Sequence, residues 1–142
     1  MSNVMRSIDD HFCFETYVTS RSIQRLYQPL LKKKDLTYPQ YLVLVVLYER
    51  GSVTVNELGK QLDLGSGTLT PLLKRMESAD LIKRIRSKAD ERVVNLTLTD
   101  KGTITREEMS NLPDLLVEKS DLSDDEWSTL TVLMNKLSDS LN

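Results

Sequence analysis

With 142 residues, 39% of them hydrophobic and 28% charged, the chain has room for one globular domain of ordinary size, and five glycines and four prolines favour helices over a loop-rich all-β fold. The longest apolar run, Tyr41 to Tyr48, is eight residues, far short of the ~20 that a membrane-spanning helix needs. No signal-peptide pattern opens the chain, and one cysteine cannot form an intrachain disulfide, so a reducing, cytoplasmic setting is expected.

The net charge of −2 looks wrong for a nucleic-acid binder until it is divided along the chain. Residues 74–92 hold seven basic and four acidic side chains, whereas residues 100–142 hold four and ten. A polyanion responds to the local field, which the net charge averages away.

From about Ile8 to Lys34, apolar residues recur at intervals of three and four (Ile8, Phe12, Ile23, Leu26, Leu30), the period of a helix. At 1.5 Å per residue such a helix is about 40 Å long. That exceeds what a compact domain of this size needs, so burial against a second subunit is expected. Pro29 removes one i→i−4 bond and should bend it. Thr37-Tyr38-Pro39-Gln40 reads as a capping box, opening a buried helix that ends near Gly51. Val55 to Leu62 is a short amphipathic helix, Leu64-Gly65-Ser66-Gly67 a turn, and Thr68 to Ser78 another helix, which together make a helix-turn-helix.

Two runs of period two follow, Leu81 to Arg86 and Arg92 to Leu98, joined by five polar or small residues. They form a hairpin with a charged tip. Thr99 can cap a fifth helix, and Ser123-Asp124-Asp125-Glu126 is a second capping box that opens a last helix through Trp127, Leu130, Leu133, Met134 and Leu137. The expected fold is mainly α (α+β): one domain over 1–142, with a winged helix-turn-helix at 37–98 (wing 81–98) and dimerisation helices at 8–34 and 100–142.

Lysine and arginine on a hairpin are often only a solvated edge that discourages sheet aggregation. Here the preceding helix offers Ser66, Thr68 and Thr70 near its start, hydroxyls that suit base edges or phosphates, with Lys74 and Arg75 a turn further on. Pro71 withdraws an N–H inside that helix, a local conflict of the kind expected where function overrides stability. Adding Arg84, Arg86, Lys88 and Arg92, the pattern favours double-stranded DNA, with most arginines neutralising phosphates. Arg92 at the hairpin end suits a minor groove, held by Asp90 or Glu91.

The order of elements, with "LGSGTLTPLLKRMESADLIKRIRSKADERVVNLTLTDKG" from Leu64 to Gly102, resembles the MarR family of dimeric transcriptional regulators. "DERVVNLTLTDKG" is similar to the family's wing signature, which implies that Arg92 is the minor-groove arginine and Asp90 its orienting carboxylate. "FCFETY", "RLYQPLLKKKDLTYPQYLVL" and "GTLTPLLKRME" resemble the one-cysteine organic-hydroperoxide sensors of the OhrR, MgrA and SarZ group. At Gly65 the sequence departs from that group, which often has aspartate there; whether Ser66 takes over the cap and the contact stays open.

Cys13, between Phe12 and Phe14, reads on composition as a small buried hydrophobe, inert in apolar surroundings. Reactivity needs donors to the thiolate, and Tyr17, Tyr27 and Tyr38 are the candidates. The resemblance implies that Tyr27 and Tyr38 of the same subunit and Tyr17 of the partner surround the sulfur. Hydrogen bonds to a charged acceptor contribute about 1.5–3 kcal/mol each, so two phenols would favour the thiolate. The resemblance thus implies a homodimeric repressor on an inverted-repeat operator that releases DNA when an oxidant converts Cys13 to sulfenic acid. With no second cysteine, a mixed disulfide with a low-molecular-weight thiol or overoxidation should follow.

Three rival readings remain open. One is a MarR-type repressor released by a small phenolic ligand, with Cys13 structural. Another is a thiol peroxidase, for which a resolving cysteine and a compact α/β pattern are missing. The third is a winged-helix module that binds only protein. His11, the only histidine, reads as a polar helix residue rather than a base. One cysteine beside one histidine provides no tetrahedral metal set, and no cofactor is expected.

Overall fold

A computed structural model describes residues 7–142. The chain divides into two compact units, one ending at Ser110 and the other spanning Asn111–Asn142. No described helix is long and apolar enough to cross a membrane.

In the first unit a short 3-10 turn, Ile8–Asp10, leads into α1, Phe12–Lys33. His11 precedes this helix rather than joining it, and its ring Nδ1 lies 2.7 Å from the Ser7 carbonyl. α1 continues past Pro29 to Lys33 as one helix. Of its residues only Tyr27 and Leu31 are buried, while Phe12, Phe14, Tyr17 and Val18 are exposed in the single chain.

Helix α2, Tyr38–Arg50, starts as the local chemistry dictates. Thr37 accepts from the Gln40 amide and Gln40 reaches back to the Thr37 amide, two otherwise orphaned donors satisfied at once. Its buried residues, Gln40, Tyr41, Val43, Leu44, Val46 and Leu47, take up more than half of its circumference. α2 is therefore the post on which the unit is built, with Leu58, Leu69, Leu73, Met76, Ile82 and Leu96 completing the buried core.

Gly51, at φ 78°, closes α2 and releases the chain into β1, Ser52–Thr54. Thr54 and Glu57 form a second capping box for α3, Val55–Leu62. The turn into α4, Ser66–Ser78, depends on Gly59: a Cβ there would stand 3.0 Å from the Leu64 carbonyl oxygen and 3.4 Å from Leu69. The hairpin strands are β2, Ile82–Arg86, and β3, Val94–Leu98. β3 lies in the middle of a three-stranded antiparallel sheet of order β1-β3-β2, with Val53 opposite Leu96 and Arg84 opposite Leu96 on the other side. α5, Asp100–Glu108, is capped by Thr99 as expected.

The second unit holds α6, Leu112–Lys119, and α7, Asp124–Leu141. Ser123 and Glu126 make the expected capping box, and the Trp127 indole donates to Ser120 Oγ at 2.8 Å. Three helices thus follow the wing where two were expected. α6 escaped the sequence reading because no side-chain cap marks its start at Asn111. β1 escaped because it has only three residues.

Candidate functional site

Leu58 of α3 and Leu69 of α4 are both buried, Gly59 of α3 lies against Leu69, and α4 buries Leu72, Leu73 and Met76 on its inner side. The opposite side carries Ser66, Gly67, Thr68, Pro71, Lys74 and Arg75, all exposed, with Thr70 half-buried at its edge. Gly65 is the N-cap of α4 and supplies no side-chain cap; Ser66 is already the first helical residue. The open question at Gly65 therefore resolves against Ser66 as the cap. The first amides of α4 are left pointing outward, an arrangement that favours anions.

The wing beside α4 is held by its own hydrogen bonds. Ser87 N donates to the Val93 carbonyl at 2.8 Å and Val93 N to the Asp90 carbonyl at 2.9 Å. Ser87 Oγ accepts from the amides of Ala89 and Asp90 at 3.3 and 3.4 Å. Arg86 Nη1 donates to the Glu91 carbonyl at 2.9 Å, so this arginine clasps the tip as well as adding charge. Asp90 accepts three bonds from Arg92: from its amide and its Nε at 3.1 Å each, and from Nη2 at 3.3 Å. Those bonds hold the Asp90 carboxyl below its ordinary range. The Arg92 side chain meanwhile remains 91% exposed, so its guanidinium is aimed but uncovered. Lys88 projects at the tip. A groove of about 230 Å³ between the start of α3 and the wing is lined by Thr54, Asn56, Arg84 and Arg92, among others. Asn56, exposed on α3, is a polar residue of this surface that charge counting could not find.

The geometry around Cys13 corrects one expectation. Cys13 is free and exposed, in the first turn of α1. Tyr27 lies fourteen residues along the same unbroken helix, about 21 Å away at 1.5 Å per residue. A phenol reaches a fraction of that, so Tyr27 of the same subunit cannot touch this sulfur. Tyr17, one turn from Cys13, shares its side of α1; its hydroxyl accepts from Arg21 Nη1 at 3.3 Å, and the Arg21 guanidinium lies over its ring. Tyr27 and Tyr38 do come together, with ring centroids 5.9 Å apart. Burial, foremost, raises both phenols above their ordinary pKa, which keeps them as neutral donors.

The comparisons with known proteins agree with this frame. Residues 25–109 match the family described as transcriptional regulator SarA/Rot. The chain belongs to that family of transcriptional regulators, which is of the MarR type. It is 41% identical over 135 residues to the organic hydroperoxide resistance transcriptional regulator of Bacillus subtilis, covering 95% of this chain and 92% of that protein. It is 43% identical over 132 residues to the HTH-type transcriptional regulator MgrA of Staphylococcus aureus, covering 92% and 90%. Among solved structures, reduced AbfR bound to DNA superposes with a TM-score of 0.76 at 34% identity over 95% of each chain. Overoxidised AbfR bound to DNA matches equally well.

Within this SarA/Rot-family chain, the candidate residues divide into two groups. Ser66, Thr68, Thr70, Lys74, Arg75, Arg84, Arg86, Lys88, Asp90 and Arg92 all lie on α4 and the wing. Cys13 and Tyr17 sit at one end of α1, Tyr27 towards its other end against Tyr38. Tyr41 and Arg106 were missed. Tyr41 stacks on Tyr38 with centroids 6.1 Å apart, and nothing local in the sequence marks Arg106 as its neighbour.

Proposed function

We propose that the chain is a homodimeric, operator-binding repressor that reads organic hydroperoxides through Cys13 and then releases DNA. The observation that carries this reading is the exposed Cys13 in the first turn of α1, with Tyr27 far along the same helix and Tyr38 of α2 packed against Tyr27. The Tyr27 and Tyr38 phenols can meet the sulfur only if they come from a second copy, and two α1 helices crossing in opposite directions would bring the partner subunit's Tyr27 and the partner subunit's Tyr38 to Cys13. Tyr17 of the same chain would stand beside them. The exposed apolar residues of α1 and α7 supply surface for such a dimer.

In the reduced dimer, α4 enters the major groove and the wing lays Arg92 along the minor groove, with the two copies one helical turn apart, about 34–36 Å. Hydrogen bonds from the partner's phenols favour the thiolate form of Cys13. The thiolate attacks the distal oxygen of a hydroperoxide; the S–O bond forms as the O–O bond breaks, and the alkoxide leaves as an alcohol after taking a proton. The sulfenic acid is bulkier than the thiolate and a poorer acceptor. A small cellular thiol then condenses with it, giving a mixed disulfide and water. Overoxidised AbfR is known bound to DNA, which supports assigning release to the sulfenic acid or the mixed disulfide. The chemistry is stoichiometric, with no turnover of peroxide.

The test is a DNA-binding titration before and after one equivalent of an organic hydroperoxide, with intact mass followed in parallel. Wild type should gain one oxygen per chain and lose operator affinity by at least about tenfold. Cys13→Ser should bind operator as wild type does and ignore the oxidant. Release of Cys13→Ser by hydroperoxide would remove the redox assignment.

A further inference from the structure

A row of aromatic and cation–π contacts runs through the first unit from the phenols of α1 and α2 to α5. Tyr27 leans on Tyr38 at 5.9 Å, Tyr38 stacks on Tyr41 at 6.1 Å, and the guanidinium carbon of Arg106 lies 5.8 Å from the Tyr41 ring and 5.6 Å from the Tyr48 ring. Arg106 Nε is buried and accounts for no hydrogen bond, so the side chain is held by the two ring faces rather than by an acceptor. Cation–π contacts gain strength as water is removed. The neighbours of Arg106 on α5 hold the same helix in place: Tyr48 donates to Glu107 at 3.1 Å, and Lys34, just after α1, pairs with Glu108.

The other end of α5 is locked to the turn that joins α4 to β2. Thr99 donates to the Asp80 carbonyl and caps Gly102 at 3.0 Å, and Lys101 donates to the Ala79 carbonyl at 2.8 Å. Gly102 approaches so closely that a Cβ there would meet the Leu81 carbonyl oxygen at 2.1 Å. A shift of α5 therefore moves the start of β2, and a shift of Tyr38 and Tyr41 is felt by α5 through Arg106.

We infer that Arg106 is a positioning residue that couples the Tyr27–Tyr38 pair to the wing, so that displacing the phenols re-aims the DNA-contacting strands. The inference rests on the redox reading above for what displaces the phenols. Arg106 touches neither DNA nor the sulfur in this account; it transmits through its cation–π contacts with the two rings, which a methionine removes and a lysine, a cation without the planar fork, keeps only in part.

Operator affinity is measured for wild type, Arg106→Met and Arg106→Lys, reduced and after one equivalent of hydroperoxide, with Cys13 oxidation followed by intact mass. Arg106→Met should oxidise like wild type, yet its ratio of oxidised to reduced Kd should fall by about tenfold, with Arg106→Lys in between. A merely structural role would shift both affinities together and leave the ratio alone, and that result overturns the inference. Arg106→Lys guards against a fold lost in Arg106→Met. If wild type itself ignores hydroperoxide, the redox reading fails, and a cycle on the reduced dimer decides the coupling. Tyr38→Leu and Arg106→Met should then be non-additive in operator affinity by about fivefold or more; additive effects sink it.

Discussion

At Gly102 a single methyl group decides whether α5 can dock against the wing. Alanine would drive its Cβ to 2.1 Å from the Leu81 carbonyl oxygen and 3.2 Å from Leu98, and the first of these is backbone that cannot swing away. Gly102→Ala should lower stability by about 1–3 kcal/mol, read as a lower denaturant midpoint; an unchanged midpoint would mean that α5 docks with slack. Arg92 and Asp90 present a different case, where the issue is aim rather than space. Arg92→Ala should weaken operator binding and reduce the slope of log K against log salt by about one phosphate contact. Asp90→Ala keeps the charge on Arg92 and should leave that slope nearly intact while losing part of the affinity. Equal slopes for wild type and Arg92→Ala would remove Arg92 from the DNA contacts. The residues alone left Asp90 and Glu91 as alternatives for holding Arg92, the family resemblance implied Asp90, and the three bonds from Arg92 to Asp90 select it. Arg106 was not legible in the sequence, since its partners Tyr41 and Tyr48 lie more than fifty residues away.

Among the elements, the capped helices were the most readable. Thr37, Thr99 and Ser123 each accept the amide three residues on, as expected, and Thr54, not singled out from the sequence, does the same; a bond closed over three residues depends on almost nothing distant. β1 is the counter-example, since three residues become a strand only because β3 is there to pair with them. The contact of α1 with α2 carries a pH dependence of its own. Burial is the first cause of the raised pKa of Tyr27, Tyr38 and Tyr41, and the Arg106 charge only partly offsets it at Tyr41. A raised phenol pKa contributes stability that is whole below the ordinary value of 10.0 and is lost as pH rises through the folded values. The denaturant midpoint should therefore not respond to these phenols at neutral pH and should fall above about pH 10. Replacing all three with phenylalanine should flatten that fall; an unaltered alkaline slope would assign it to other groups.

For the whole molecule the telling feature is what the single chain leaves uncovered. α7 buries none of its residues, although Leu130, Leu133, Met134 and Leu137 recur at helical spacing along it. Such a stripe is what a partner subunit covers. Leu133→Lys should yield a monomer by sedimentation and weaken operator binding by about a hundredfold or more, because two linked half-site contacts become one. A variant that stays dimeric would exclude the Leu133 side of α7 from the interface. The amino-acid sequence by itself determined the helix starts, the helix-turn-helix, the hairpin and the basic window, since each is encoded by residues within one or two turns of each other. Only the tertiary structure decided that Tyr27 packs against Tyr38, that β3 has a strand on either side, and that Arg106 lies over the rings of Tyr41 and Tyr48. These depend on where rigid elements end up in space, and an element must first have a neighbour before any such contact exists.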